Sequence, residues 1–198
     1  MPRLLTLAGS LRSGSSNAAL LAAAAELAPA NVTVAEYAAL AGLPAFNPDV
    51  DDASHLTPAP VTHWRAALAA ADMLLISSPE YAHGIPGALK NALDWVVGSG
   101  ELVGKPVGVI NASAASRFAF PQLIEVLSVM NATVVPDATL VLDIPRRGAG
   151  VTSLATDPVV AAALRRVLAA LLAAVPERDG GSSTAAAVHS GPVRGAAE

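Results

Sequence analysis

The stretch "RLLTLAGSLRSGSSNAALL", Arg3 to Leu21, decides the fold. Its first part, Arg3–Gly9, is an apolar run ended by a glycine turn, which predicts a buried strand. A strong helix former follows, "SNAALLAAAAELA" from Ser16 to Ala28, and Pro29 stops it. Between them the chain places Ser10, Ser13, Ser15 and Ser16 around a single arginine, Arg12. A strand that feeds a helix through such a loop presents free backbone N–H groups and the positive end of the helix dipole. The hydroxyls and the Arg12 fork add donors suited to an anion, above all a phosphate. N-capping explains one serine, but not four with a guanidinium.

The same alternation continues outward. Strands are expected at Asn31–Tyr37, Asp72–Ser78, Lys105–Ser113 and Ala138–Ile144. Helices are expected at Pro58–Ala71, Pro86–Val97, Arg117–Ala132 and Asp157–Val175. Pro86 and Pro158 fall in first turns, where a missing amide costs nothing, and Asp157 is placed as an N-cap. Five apolar strands alternating with helices predict a single doubly wound α/β domain over residues 1–176. Its parallel sheet would be covered on both faces, with ligands bound beyond the carboxyl ends of the strands. The loops at 9–16, 77–86 and 111–117 all follow strands and are expected to converge there. Residues 177–198 lack periodicity and read as a flexible tail.

Composition narrows the chemistry. The chain has 198 residues, 53% of them hydrophobic and 14% charged, which suits a globular protein. A net charge of −4 and the lack of a basic stripe argue against nucleic acid. Cysteine is absent, which excludes disulfides, thiolate catalysis and cysteine-based metal centres. The four histidines, His55, His63, His83 and His189, are not at metal-ligand spacing, so no metal is expected. No apolar run reaches the roughly 20 residues of a membrane span, and the opening residues lack the form of a secretory signal, so a cytoplasmic protein is expected.

The phosphate ligand follows partly by elimination. Gly9-x4-Gly14 imitates a nucleoside-triphosphate loop, but Ser15 stands where that loop requires lysine. The G-x-G-x-x-G dinucleotide fingerprint is absent. A terminal phosphate monoester such as that of FMN remains. After the third strand comes "SSPEYAHGIPGALKNALDW", Ser77 to Trp95. Its prolines and glycines fix an ordered loop whose backbone can read the edge of a planar heterocycle, and Tyr81 offers a flat face.

With both loops in view, the sequence resembles the NADPH-dependent FMN reductases of flavodoxin-like fold, which include quinone, azo-dye and chromate reductases. That family carries G-S-x-R-x-G-S-x-N after its first strand, matched by Gly9, Ser10, Arg12, Gly14, Ser15 and Asn17. After the third strand it carries P-E-Y-N-x-S-x-P-G-x-L-K-N-x-x-D-W. Pro79, Glu80, Tyr81, Pro86, Gly87, Leu89, Lys90, Asn91, Asp94 and Trp95 match; Ala82 and Gly84 replace the family's asparagine and serine. The resemblance implies a five-stranded parallel sheet in the order 2-1-3-4-5. It implies that Ser10, Arg12, Ser15, Ser16 and Asn17 hold the phosphate of FMN, while Pro79, Glu80, Tyr81, Ala82, His83 and Gly84, with Ser113, line the ring. No side chain is expected to act as acid or base. NADPH or NADH would be the reductant, a small molecule the acceptor, and a homodimer or homotetramer the assembly.

Other residues carry plainer expectations. Lys90 and Asp94 suit an ion pair within the helix or between subunits. Glu80 suits a partner arginine, Trp95 a core or an interface, Tyr37 the core, and Phe46 the core or a partner subunit's flavin pocket. His83 suits a surface loop or a contact with the flavin. Two rival readings stay open: an FMN-binding electron-transfer module that does not oxidise NAD(P)H, and a degenerate member that has lost flavin.

Overall fold

Leu4, Leu5 and Leu7 are buried on both faces of β1 (Arg3–Ala8), the run of continuous apolar character expected of a central parallel strand. The structure is a computed structural model that describes residues 1–51, 57–144 and 150–177. His55, His189 and the expected tail, apart from Glu177, lie outside the described residues. β1 pairs in parallel with β2 (Thr33–Glu36) on one side and β3 (Met73–Ser77) on the other. β4 (Pro106–Asn111) extends the sheet beyond β3. With β5 (Thr133–Val134) beyond β4, the order is β2-β1-β3-β4-β5, the flavodoxin-like arrangement expected from the resemblance.

Two cores flank the sheet. One gathers Leu5, Leu7, Trp64, Leu68, Leu74, Ile76, Leu93 and Trp95 beneath α2 (Ala59–Ala69), α3 (Gly87–Asp94) and α4 (Ala119–Val129). The other gathers Leu4, Leu75 and Ile110 of the sheet with Leu20 and Leu21 of α1 (Ser16–Glu26) and with Leu164 and Leu168 of the last helix. Among the described residues no helix is long and apolar enough to cross a membrane.

The fifth strand departs from expectation. In place of one strand over 138–144, the chain makes two short ones, β5 (Thr133–Val134) and β6 (Leu140–Val141), each parallel to β4. A 3₁₀ turn at Pro136–Ala138 separates them. Between the two pairings β4 advances from Val107 to Ile110 while its partner advances from Val134 to Leu140. Pro136 has no N–H to give to a ladder, so pairing stops there. The turn then folds onto Gly108, where a Cβ would lie 2.9 Å from the Ala138 carbonyl oxygen. A further short helix, α5 (Val151–Thr156), precedes α6 (Pro158–Ala174) and was not expected. Asp157 caps α6 as its position predicts, accepting from Val159 N and Val160 N, each at 2.9 Å.

Candidate functional site: a cleft at the carboxyl ends of β1, β3 and β4

Three loops meet where the central strands end. They follow β1, β3 and β4, and they enclose a cleft of about 290 Å³. Buried polar side chains hold them in register. Asn17 Oδ1 accepts from the Ser77 hydroxyl at 2.8 Å and from Ala112 N at 3.3 Å, tying the start of α1 to β3 and to the end of β4. Asn111 Nδ2 donates to the Ser78 carbonyl at 3.0 Å, and its Oδ1 accepts from Ser113 N at 2.8 Å. Both asparagines are nearly fully buried, so each bond also meets the requirement that a buried polar group be satisfied. Gly9 completes the junction: a Cβ there would fall 2.4 Å from the Ser78 hydroxyl oxygen, so β1 and β3 can approach only at glycine.

The first loop brings Ser10, Arg12, Gly14, Ser15, Ser16 and Asn17 to the cleft wall. Ser15 occupies the N-cap position of α1, yet its side chain makes no capping hydrogen bond. The first turn of α1 holds no acidic residue. Arg12 is exposed, and its guanidinium has no partner among the described residues; only its backbone N–H is engaged, donating to Ser10 Oγ at 3.3 Å. A helix terminus, a hydroxyl and a guanidinium, the last two without a side-chain partner among the described residues, therefore converge on one concave surface.

The second loop contributes Pro79, Glu80 and Tyr81. The Tyr81 hydroxyl lies 3.1 Å from Ser10 Oγ, so the two loops touch directly. Tyr81 to Gly84 form a tight turn closed by Tyr81 N to Gly84 O at 3.1 Å and Gly84 N to Tyr81 O at 3.0 Å. Both central residues, Ala82 (φ 49°) and His83 (φ 60°), are left-handed, as a type I′ turn demands. Neither they nor Gly84 line the cleft; His83 packs on Phe118, with ring centroids 4.4 Å apart. Ser113 and Ser116 line the cleft from the third loop.

Glu80 is engaged within its own chain. Its Oε2 accepts from Phe118 N at 2.6 Å and Ala119 N at 2.9 Å. These backbone donors hold its carboxyl below the usual carboxylate range. Lys90 and Asp94 pair along one face of α3. Trp95 is core: it is fully buried, its indole N–H donates to the Pro44 carbonyl at 2.8 Å, and Phe46 meets it edge-on at 5.1 Å. Asn111, Ala112 and Ala115 also line the cleft and escaped sequence reading. Asn111 gave one available signal, as the polar residue that ends the otherwise apolar β4.

A model of the family described as NADPH-dependent FMN reductase matches residues 2–145. The chain is 40% identical over 114 residues to an NAD(P)H-dependent FMN reductase of Pseudomonas aeruginosa, covering 57% of this chain and 60% of that protein. It is 35% identical over 113 residues to a quinone reductase of Escherichia coli, covering 56% and 60% respectively. The matches thus span about three fifths of these relatives. Among solved structures, the flavoenzyme NAD(P)H:acceptor oxidoreductase FerB of Paracoccus denitrificans superposes with a TM-score of 0.66 at 24% identity, covering 86% of this chain and 96% of that one, which supports the fold. Strand order, the two motif loops and the family match agree: the chain belongs to the NADPH-dependent FMN reductase family.

Proposed function

We propose that the chain is an NAD(P)H-dependent FMN reductase that passes electrons from a nicotinamide to a small acceptor: free flavin, a quinone, an azo compound or a metal oxyanion. The observation that carries this is the unspent donor set at the start of α1. Among the described residues the Arg12 guanidinium and the Ser15 hydroxyl have no partner, and no acidic residue stands in the first turn of the helix. That set fits a phosphate monoester. Ser10, Arg12, Ser15 and Ser16 hold the phosphate. Asn17 gives it at most its Nδ2, because its Oδ1 is already taken by Ser77 and Ala112. Pro79, Glu80 and Tyr81, with Ser113, form the wall against the ring. Ala82, His83 and Gly84 act from behind as the turn that shapes that wall.

When bound, FMN supplies the redox chemistry, accepting two electrons from the nicotinamide and releasing them to the acceptor. The protein's own part is to bind, orient and shelter. The buried Asn17–Ser77 and Asn111–Ser78 bonds keep the three loops fixed, so the cleft is preorganised before its ligand arrives. The quinone reductases among the relatives favour a quinone as acceptor. Tyr81, exposed on the cleft wall, and the exposed Leu11 and Phe118 near lining residues in the chain favour a second copy of the chain closing over the cleft, so the working form is a homo-oligomer. Its reductant is an intracellular metabolite, which favours the cytoplasm. The test is colour: the purified protein mixed with FMN and desalted should absorb near about 450 nm and bleach anaerobically with NADPH or NADH. Colour that neither nicotinamide bleaches overturns the reductase reading in favour of a carrier. A protein that keeps no FMN overturns the cofactor.

A further inference from the structure

The loop between β3 and α3 is docked on the start of α4 at three points. Glu80 Oε2 accepts from Phe118 N at 2.6 Å, from Ala119 N at 2.9 Å and from the Ser116 hydroxyl at 3.5 Å. The His83 ring lies 4.4 Å from that of Phe118 and is tilted 32° to it. Ile85 N donates to Gln122 Oε1 at 3.0 Å. α4 supplies no cap of its own: its N-cap residue is Phe118, no side chain caps from that position, and its first turn has no acid. Glu80 therefore provides, from 38 residues away, the acceptor that helices commonly take from the residue just before them.

The dependence runs both ways. The helix terminus that gains a cap also anchors the loop that gives it. The stretch from Tyr81 to Gly84 holds two consecutive non-glycine residues at positive φ, a conformation that persists only where its surroundings impose it. On the far side, the Tyr81 hydroxyl meets Ser10 Oγ in the first loop at 3.1 Å. Glu80 is thus the part of the cleft wall that is tied to the element steadying it.

We propose that Glu80 is a positioning residue. By capping α4 it fixes the backbone of 79–84 and so determines where the ring of a bound flavin lies, an inference that rests on the FMN-binding reading above. It acts on the ring end of the ligand, whereas Arg12 acts on the phosphate end.

The experiment uses the full chain and FMN itself. Affinity is measured by quenching of flavin fluorescence, and ring placement by the visible circular dichroism of the flavin at saturation. Glu80→Gln keeps the shape but removes the charge. It should bind FMN at least about fivefold more weakly, with an altered flavin spectrum at saturation. Glu80→Asp, which keeps the charge, should recover part of both effects. Arg12→Ala should lose affinity yet show the wild-type spectrum once saturated. If Glu80→Gln does not fold, Gln122→Ala, which cuts the neighbouring tie to Ile85, must alter the spectrum in the same sense. A wild-type spectrum at saturation in the folded Glu80 variant, with or without weaker binding, marks a merely structural role and overturns the inference. An unaltered spectrum in Gln122→Ala, where that variant must decide, does the same. Failure of the unsubstituted chain to bind FMN overturns the cofactor reading and this inference together.

Discussion

The Arg12 guanidinium and the Tyr37 hydroxyl have no hydrogen-bond partner among the described residues, but their positions give that fact opposite meanings. Arg12 is exposed on the lip of the cleft, where its charge is solvated until a ligand arrives. Charge-assisted hydrogen bonds to a phosphate contribute about 1.5–3 kcal/mol each, so Arg12→Ala should weaken FMN binding by roughly tenfold or more. A fluorescence titration checks this, and unchanged affinity would place the phosphate elsewhere. Tyr37 is buried, and its hydroxyl has no hydrogen-bond partner among the described residues. Leaving such a group unsatisfied costs about 1–3 kcal/mol, so Tyr37→Phe should stabilise the protein, seen as a higher urea midpoint at unchanged slope. Burial also pushes the Tyr37 phenol above its ordinary value. The folded state therefore keeps its proton where the unfolded chain gives it up. The associated stability is whole below the unfolded pKa of about 10 and falls away as pH rises past it. Tyr37→Phe should remove that part of the alkaline loss, which urea melts between neutral and alkaline pH would show.

At the scale of elements, the legible features were those whose cause is local. Asp157 caps α6 because an acid followed by proline and an apolar run is sufficient instruction, and the structure makes both bonds. The loop from Gly9 to Ser16 could be read because its small residues and Arg12 lie within eight positions. The divided fifth strand could not be read, because its cause lies in two places. Pro136 ends the pairing, and Gly108, on a different strand, leaves room for the turn that results. Gly108→Ala should force that turn off β4, at a cost of about 1–3 kcal/mol for overpacking. Thermal unfolding measures it, and an unchanged midpoint would mean that the turn shifts freely. The destination of Glu80 was hidden for the same reason: no local pattern joins it to an amide 38 residues away. Matching a motif identified the residue, but only the assembled loops showed what its carboxylate does.

For the molecule as a whole, a parallel sheet covered on both faces and the convergence of three loops were present in the alternation of apolar strands with helices, whereas the strand order came from the family resemblance. What periodicity could not supply was the pair of buried asparagines, Asn17 and Asn111, which hold the loops to one another. Because the cleft spans the ends of three strands, a ligand there bridges elements distant in sequence and should stabilise the fold as one unit. Free FMN at about a hundred times its Kd should add about 2.7 kcal/mol to unfolding stability, with a melting temperature that climbs with concentration. A melting temperature indifferent to FMN would disconnect the cleft from that ligand.

The interrupted end of the sheet has a further consequence. A strange chain reaching that border meets two dipeptide stretches, offset by a turn, in place of a continuous row of amides and carbonyls. The opposite border is only four residues long and carries the charge of Glu36. Neither offers a template for strand-by-strand recruitment, so a protein rich in buried aliphatic residues keeps its margins insulated against fibre growth.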